Sequence, residues 1–119
     1  MQYRRLGDAG MNVSKIALGG WINYGEGKVA EDKARQVVET AYDNGINYFD
    51  LADIYGKGEA EKQMGHLLSQ YPRHTLVIAT KVFWPMSDDI NDRGLSRKHI
   101  MESIDKSLAR LGTDYVDIY

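Results

Sequence analysis

The 119-residue chain has no cysteine, which removes disulfides, thiolate nucleophiles and cysteine-ligated zinc together and favours a reducing compartment. It also lacks a surplus of charge. Fifteen Lys and Arg against 17 Asp and Glu leave a formal charge of -2, and no basic block is longer than a pair, so nucleic acid is not an expected partner. No run of 18 apolar residues occurs, and the opening stretch MQYRRLGDAG carries charge without an apolar h-region. Neither a membrane insertion nor a secretory signal is expected, and the chain reads as cytoplasmic. Phosphate-cradling motifs are missing as well. GGWINYGEGK does not fit G-x-G-x-x-G, GKGEAE puts a glutamate where the third glycine belongs, and Ile22 occupies the first glycine position of a P-loop. The three histidines, His66, His74 and His99, have no partner at metal-ligand spacing, so they are expected on the surface and no metal is expected.

What is present is a regular alternation. Tyr3 to Leu6 and Met11 to Ser14 flank GDAG, whose glycines suit the turn of a β-hairpin, a lid or plug rather than core. KIALGG is a short apolar strand, and the glycine-rich stretch WINYGEGKVA after it is expected to be an exposed loop. From Glu31, Ala34, Val37, Val38 and Ala41 fall at helical spacing before Gly45. INYFD is a second strand. Ala60, Met64, Leu67, Leu68 and Tyr71 mark a second helix ending at Pro72, with Glu59, Glu61 and Lys62 as its solvated first turn. TLVIATK has the near-continuous apolar content of a strand buried on both faces. After FWPMSDDINDRGL, Ser96 is a plausible N-cap, and Ile100, Ile104, Leu108 and Leu111 form the apolar stripe of a third helix. DYVDIY begins a fourth strand. One domain of strands and helices alternating roughly every thirty residues implies parallel βαβ crossovers.

In such architectures ligands gather at the carboxyl ends of the strands. The first strand ends at Gly20 and Trp21, the second at Asp50 with Tyr55 in its loop, the third at Lys81. A carbonyl receiving hydride needs a proton, which a tyrosine can hold at neutral pH but releases reluctantly. An ammonium at ~4 Å and an effective dielectric of ~20 attracts the phenolate by about 4 kcal/mol, so Lys81 makes Tyr55 a usable acid, and Asp50 keeps Lys81 charged and aimed. Each residue also has an ordinary structural reading: Asp50 as a loop cap, Tyr55 as a packed ring, Lys81 as a solvated chain end. Spacing alone leaves both readings standing. Trp21 and Trp84 either wall a pocket or cover the rim of the sheet.

These residues lie in segments that resemble the aldo-keto reductase superfamily, and most closely its branch of voltage-gated potassium channel beta subunits and bacterial relatives: YRRLG, DNGINYFDLADIYGKGEAE, IATKVFW, RGLSRKHI and SLARLGTDYVDIY. The resemblance implies an α/β fold, the N-terminal half of a (β/α)8 TIM barrel, made of a β-hairpin followed by four parallel strands and three helices. It implies NADPH as hydride donor and an Asp, Tyr, Lys, His tetrad, of which Asp50, Tyr55 and Lys81 match three, Tyr55 as proton donor. Gly20, Trp21 and Asp50 match positions beside the cofactor, and Gly20 stands where that branch often has threonine. The fourth tetrad position lies just past the fourth strand, so residues 1–119 are expected to be a reductase domain cut after that strand.

The expected function is therefore NADPH-dependent reduction of an aldehyde or ketone, with a small-molecule carbonyl as partner and little activity in the chain alone. The alternative is a channel-beta-type regulatory subunit that binds NADPH and a membrane partner. A half barrel has two unpaired strand edges and an apolar inner face, which favour self-association.

Overall fold

The computed structural model describes residues 1–21, 23–25 and 29–119. Strands β1 (Tyr3–Arg5) and β2 (Asn12–Ser14) form the antiparallel hairpin, with Tyr3 opposite Ser14. Gly7 and Gly10 turn the chain at φ 52° and 80°, a region open to glycine without a Cβ penalty. The hairpin docks on the residues that lead into the second parallel strand. Tyr3 donates to the Gly45 carbonyl at 2.8 Å, and Asn47 exchanges hydrogen bonds with Ser14 and Asn12. It therefore plugs the amino-terminal end of the sheet, opposite the strand ends where a ligand would bind.

The sheet is parallel, in the order β3 (Leu18–Gly19), β4 (Tyr48–Asp50), β5 (Val77–Ala79). Leu18 pairs with Phe49, and Phe49 with Ile78. The expected fourth strand is a single parallel bridge, Ala79 to Ile118, supported by Thr80 N–H donating to the Ile118 carbonyl at 3.1 Å.

Helices α1 (Glu31–Asp43), α2 (Glu59–Leu68) and α3 (Arg97–Leu111) fall where the apolar spacing places them, although Tyr71 lies beyond the end of α2. Ser96 caps α3 by accepting from the His99 N–H at 3.1 Å, and Gly112 ends it at φ 67°. One core joins the three helices to the outer face of the sheet. Phe49 and Ile78 meet Val38 of α1, Met64, Leu67 and Leu68 of α2, and Leu111 of α3. Gly65 lets α2 approach α3 closely, since a Cβ there would stand 2.4 Å from the Leu111 carbonyl oxygen.

Several expectations need correction. In the glycine-rich stretch, Tyr24 is buried in the core, while Ile22, Glu26, Gly27 and Lys28 lie outside the described residues. The buried row of α3, which packs on α2, is His99, Ser103, Ser107 and Leu111, with Ile100, Ile104 and Leu108 only half covered. The reason is a buried ion pair. Glu61, expected in a solvated first turn, is fully buried; it accepts from Arg110 Nε at 2.6 Å and from the Thr80 hydroxyl, and Ser107 takes another Arg110 donor. A buried carboxylate requires such partners, so α3 turns its polar row inward. His99 is consequently fully buried, not on the surface; His66 and His74 are exposed. Finally, Val77 and Ala79 are buried, and none of the large exposed apolar side chains belongs to β3, β4 or β5, so the expected bare apolar inner face is not found among the described strands.

Candidate active site

Strand alternation selects which side chains enter the site. Phe49, Ile78 and Thr80 face the helices; Asp50, Ala79 and Lys81 face the other way. The ladder continues past the assigned strands, with Leu51 N–H donating to the Ala79 carbonyl at 2.9 Å and Asp53 N–H to the Lys81 carbonyl at 3.2 Å. Asp50 and Lys81 are thus held on adjacent strands on one face. Tyr55 opens a 3-10 turn, Tyr55–Gly58, in which Gly56, Lys57 and Gly58 all have positive φ. That turn folds the phenol back over the strand ends and delivers the chain to α2.

The three expected residues meet. Lys81 Nζ lies 2.9 Å from Asp50 Oδ1, 2.7 Å from the Leu51 carbonyl oxygen and 3.3 Å from the Tyr55 hydroxyl. An ammonium has three donors and no acceptor, so all three of its protons are assigned. The consequence concerns Tyr55: its oxygen accepts from Lys81, which leaves its own proton free to be donated. Burial draws the Lys81 ammonium down, but hydrogen bonds to Asp50 and Tyr55 and the charge of Asp50 outweigh it and hold the group above its ordinary 10.5. Lys81 is a cation at neutral pH.

Trp21 meets Tyr55 edge to face, with ring centroids 5.1 Å apart. With Ile54, Phe83 and Trp84 these rings bound a cleft of about 480 Å³ beside Lys81, a size that suits a small ligand. Phe83 and Trp84 pack as an edge-to-face pair, and Trp21 and Trp84 are each more than half exposed. Trp21 has φ 27°, an uncommon conformation for a residue with a Cβ.

The residues expected beside a cofactor fit that expectation in part. Asp50 gives one carboxylate oxygen to Lys81 and is a third exposed, so its second oxygen can take a ribose hydroxyl. Trp21 offers an exposed ring. Gly20, however, spends its N–H on the Asp50 carbonyl at 2.8 Å. A Cβ at Gly20 would stand 2.4 Å from Leu51 Cδ2, so Leu51 fills the space that a side chain at position 20 would use. Gly20 therefore shapes the strand end and offers the cofactor neither a side chain nor its N–H.

Sequence reasoning missed Asp53. It lines the same cleft, is 2% exposed, and its Oδ2 has no hydrogen-bond partner. An aspartate three residues after a strand end gives no signal of burial. Among the described residues no group of three or more His, Asp or Glu is placed to hold a metal ion.

Comparison with known proteins bears on the family and the fold. The profile of the aldo/keto reductase family matches residues 15–119. An Arabidopsis thaliana protein named "Probable voltage-gated potassium channel subunit beta" is 41% identical over 99% of the chain, which spans 36% of that protein. Two solved structures superpose closely. The thermostable aldo-keto reductase Tm1743, solved with the inhibitor epalrestat, has a TM-score of 0.80 at 31% identity, over 98% of this chain and 40% of its own. The Pseudomonas aeruginosa protein PA4992, assigned to the aldo-keto reductases, has a TM-score of 0.81 at 34% identity, over 96% of this chain and 44% of its own. The chain spans less than half of each of these relatives, and its fold is the first half of a (β/α)8 barrel. With the family profile matched across nearly all of its length, the chain belongs to the aldo/keto reductase family.

Proposed function

We propose that the chain carries the acid half of an NADPH-dependent carbonyl reductase, reducing an aldehyde or ketone to an alcohol. The observation that supports this most is the assignment of the Lys81 protons, which leaves the Tyr55 proton unspent beside an aromatic-walled cleft. A substrate carbonyl oxygen placed against Tyr55 takes that proton as hydride, supplied by NADPH when bound, reaches its carbon. Lys81 stabilises the phenolate left behind. At 3.3 Å and an effective dielectric of ~20 the attraction is about 5 kcal/mol, reduced by solvent because the Lys81 side chain is half exposed. Asp50 fixes the ammonium by its 2.9 Å contact. Asp50 would also meet the cofactor ribose, and Trp21 would border the nicotinamide.

In this reading residues 1–119 form a partial reductase domain, and the rest of the barrel, with the fourth tetrad member, comes from further polypeptide. The proposed setting is cytoplasmic; among the described residues no helix is long and apolar enough to cross a membrane. The test joins the chain to the second half of a related barrel and follows nicotinamide absorbance with NADPH and an aromatic aldehyde. Tyr55→Phe is expected to lower turnover by about 10²–10⁴-fold, the usual worth of a positioned general acid. Unchanged reduction would refute the role.

The plant relative's name supports a second reading, a regulatory subunit that binds NADPH and a channel partner. Tight NADPH binding with turnover that is slow and insensitive to Tyr55→Phe would favour it.

A further inference from the structure

Asp53 has no task in the proposed chemistry, yet it is the one described residue with a buried, unpartnered side-chain oxygen. Its setting is a buried polar layer that borders the cleft, between the strand ends and the helices. Glu61 of α2 and His99 and Arg110 of α3 face it, as does Tyr119 beyond the Ile118 bridge. The charge count in that layer does not balance. Two carboxyl groups, Asp53 and Glu61, share one guanidinium, and Arg110 commits its Nε to Glu61 and an Nη to Ser107. Glu61 is satisfied a second time by Thr80. An ionised Asp53 would therefore be a desolvated charge with no ion partner of its own, an arrangement that favours the neutral acid.

The backbone of Asp53 is tied to the site. Its N–H holds the Lys81 carbonyl at 3.2 Å, the last rung of the β4–β5 ladder, and Tyr55 follows two residues later with its own N–H on the Ala52 carbonyl at 3.1 Å. We propose that Asp53 is a positioning residue for the Lys81–Tyr55 pair: its neutral carboxyl stays seated in the buried layer and keeps the loop closed, and its ionisation drives the carboxylate toward the water of the cleft, carrying residues 52–55 and loosening the contact with Lys81. The inference rests on the proposed role of that pair. Burial raises the pKa of Asp53 above its ordinary 3.8, and Glu61 adds to the rise, while the Ile54 N–H, Arg110 and His99 oppose it. The transition accordingly falls above the usual carboxylate range.

Trp21 reports on the loop because its ring rests on Tyr55. In a Trp84→Phe background, Trp21 emission is followed against pH for the native Asp53 and for Asp53→Asn, a neutral side chain of the same shape. The expected result is a one-proton step above pH 3.8 with Asp53, and the low-pH emission retained throughout in Asp53→Asn. A step that persists in Asp53→Asn, or no step with Asp53, overturns the proposal. Should Asp53→Asn fail to fold, carboxyl carbon resonances of the unsubstituted chain decide it. One aspartate titrating above the ordinary range, with a Lys81 Nζ shift that follows the same curve, supports the proposal; all aspartates titrating in the ordinary range, or a Lys81 signal that does not follow, overturns it. Neither measurement involves turnover, so its failure is distinct from failure of the reductase reading.

Discussion

Replacing Arg110 by leucine tests how the fold supports the site. Glu61 is fully buried and Arg110 is 16% exposed, with Nε 2.6 Å from Glu61 Oε2. Removing the guanidinium leaves a buried carboxylate with Thr80 as its one remaining hydrogen-bond donor. Breaking a buried pair from one side costs about 3–5 kcal/mol, and the retained Thr80 bond places the loss near the lower figure. For a domain of this size that corresponds to a fall in melting temperature of roughly 12 °C, at about 4 °C per kcal/mol. Thermal and urea unfolding followed by far-ultraviolet circular dichroism measure it directly. Substituting both partners, Glu61→Met with Arg110→Leu, should return most of the stability, because a buried pair exchanged for apolar residues of similar volume is often neutral. The same arginine lies beneath the turn that carries Tyr55, where a Cβ at Gly58 would stand 2.6 Å from Arg110 Cδ, so the single substitution should also weaken the Trp21 contact with Tyr55. Arg110→Leu within about 0.5 kcal/mol of the parent, the range of ordinary surface changes, would refute the reasoning.

Other outcomes follow from the same packing. Gly65→Ala drives a Cβ to 2.4 Å from the Leu111 carbonyl oxygen and should cost about 1–3 kcal/mol by overpacking, read from the urea midpoint. Gly20→Ala meets Leu51 Cδ2, so in combination with Leu51→Ala its cost should shrink, giving a coupling of about 0.5–3 kcal/mol in a double-mutant cycle; additive losses would contradict the contact. Lys81 sits above its ordinary 10.5 in the folded state, so its stabilising contribution is complete below that value and is lost as pH rises through the folded one. The side chain is half exposed, so the effect is under about 1 kcal/mol, and Lys81→Met should flatten the alkaline limb of the stability curve.

The βα order was legible because periodicity reports it. Ala34, Val38 and Ala41 repeat at helical spacing, and TLVIATK has the composition of a strand covered on both faces, which fixed the helices and the strand ends and so placed Asp50, Tyr55 and Lys81 together. What the pattern concealed was polar burial. Glu61, His99 and Asp53 look like solvated residues, since nothing local distinguishes a glutamate on a helical first turn from one whose partner stands 49 positions away. The same blindness misassigned the face of α3, where Ile100, Ile104 and Leu108 suggested the core row but Ser107, bonded to Arg110, and Ser103, against the buried His99, lie there instead. The role of Gly20 was hidden for a similar reason: only the three-dimensional contact shows that Leu51 occupies its missing side chain.

The central claim is that the Lys81 ammonium donates to the Tyr55 oxygen and so leaves the phenolic proton for a substrate. Proton-detected nitrogen NMR of the Lys81 ammonium tests this most directly, comparing the parent chain with Tyr55→Phe. A protected Lys81 signal that shifts and exchanges faster when the hydroxyl is removed is the predicted result. A Lys81 signal unchanged by Tyr55→Phe would mean that the two groups do not touch, and would contradict the account.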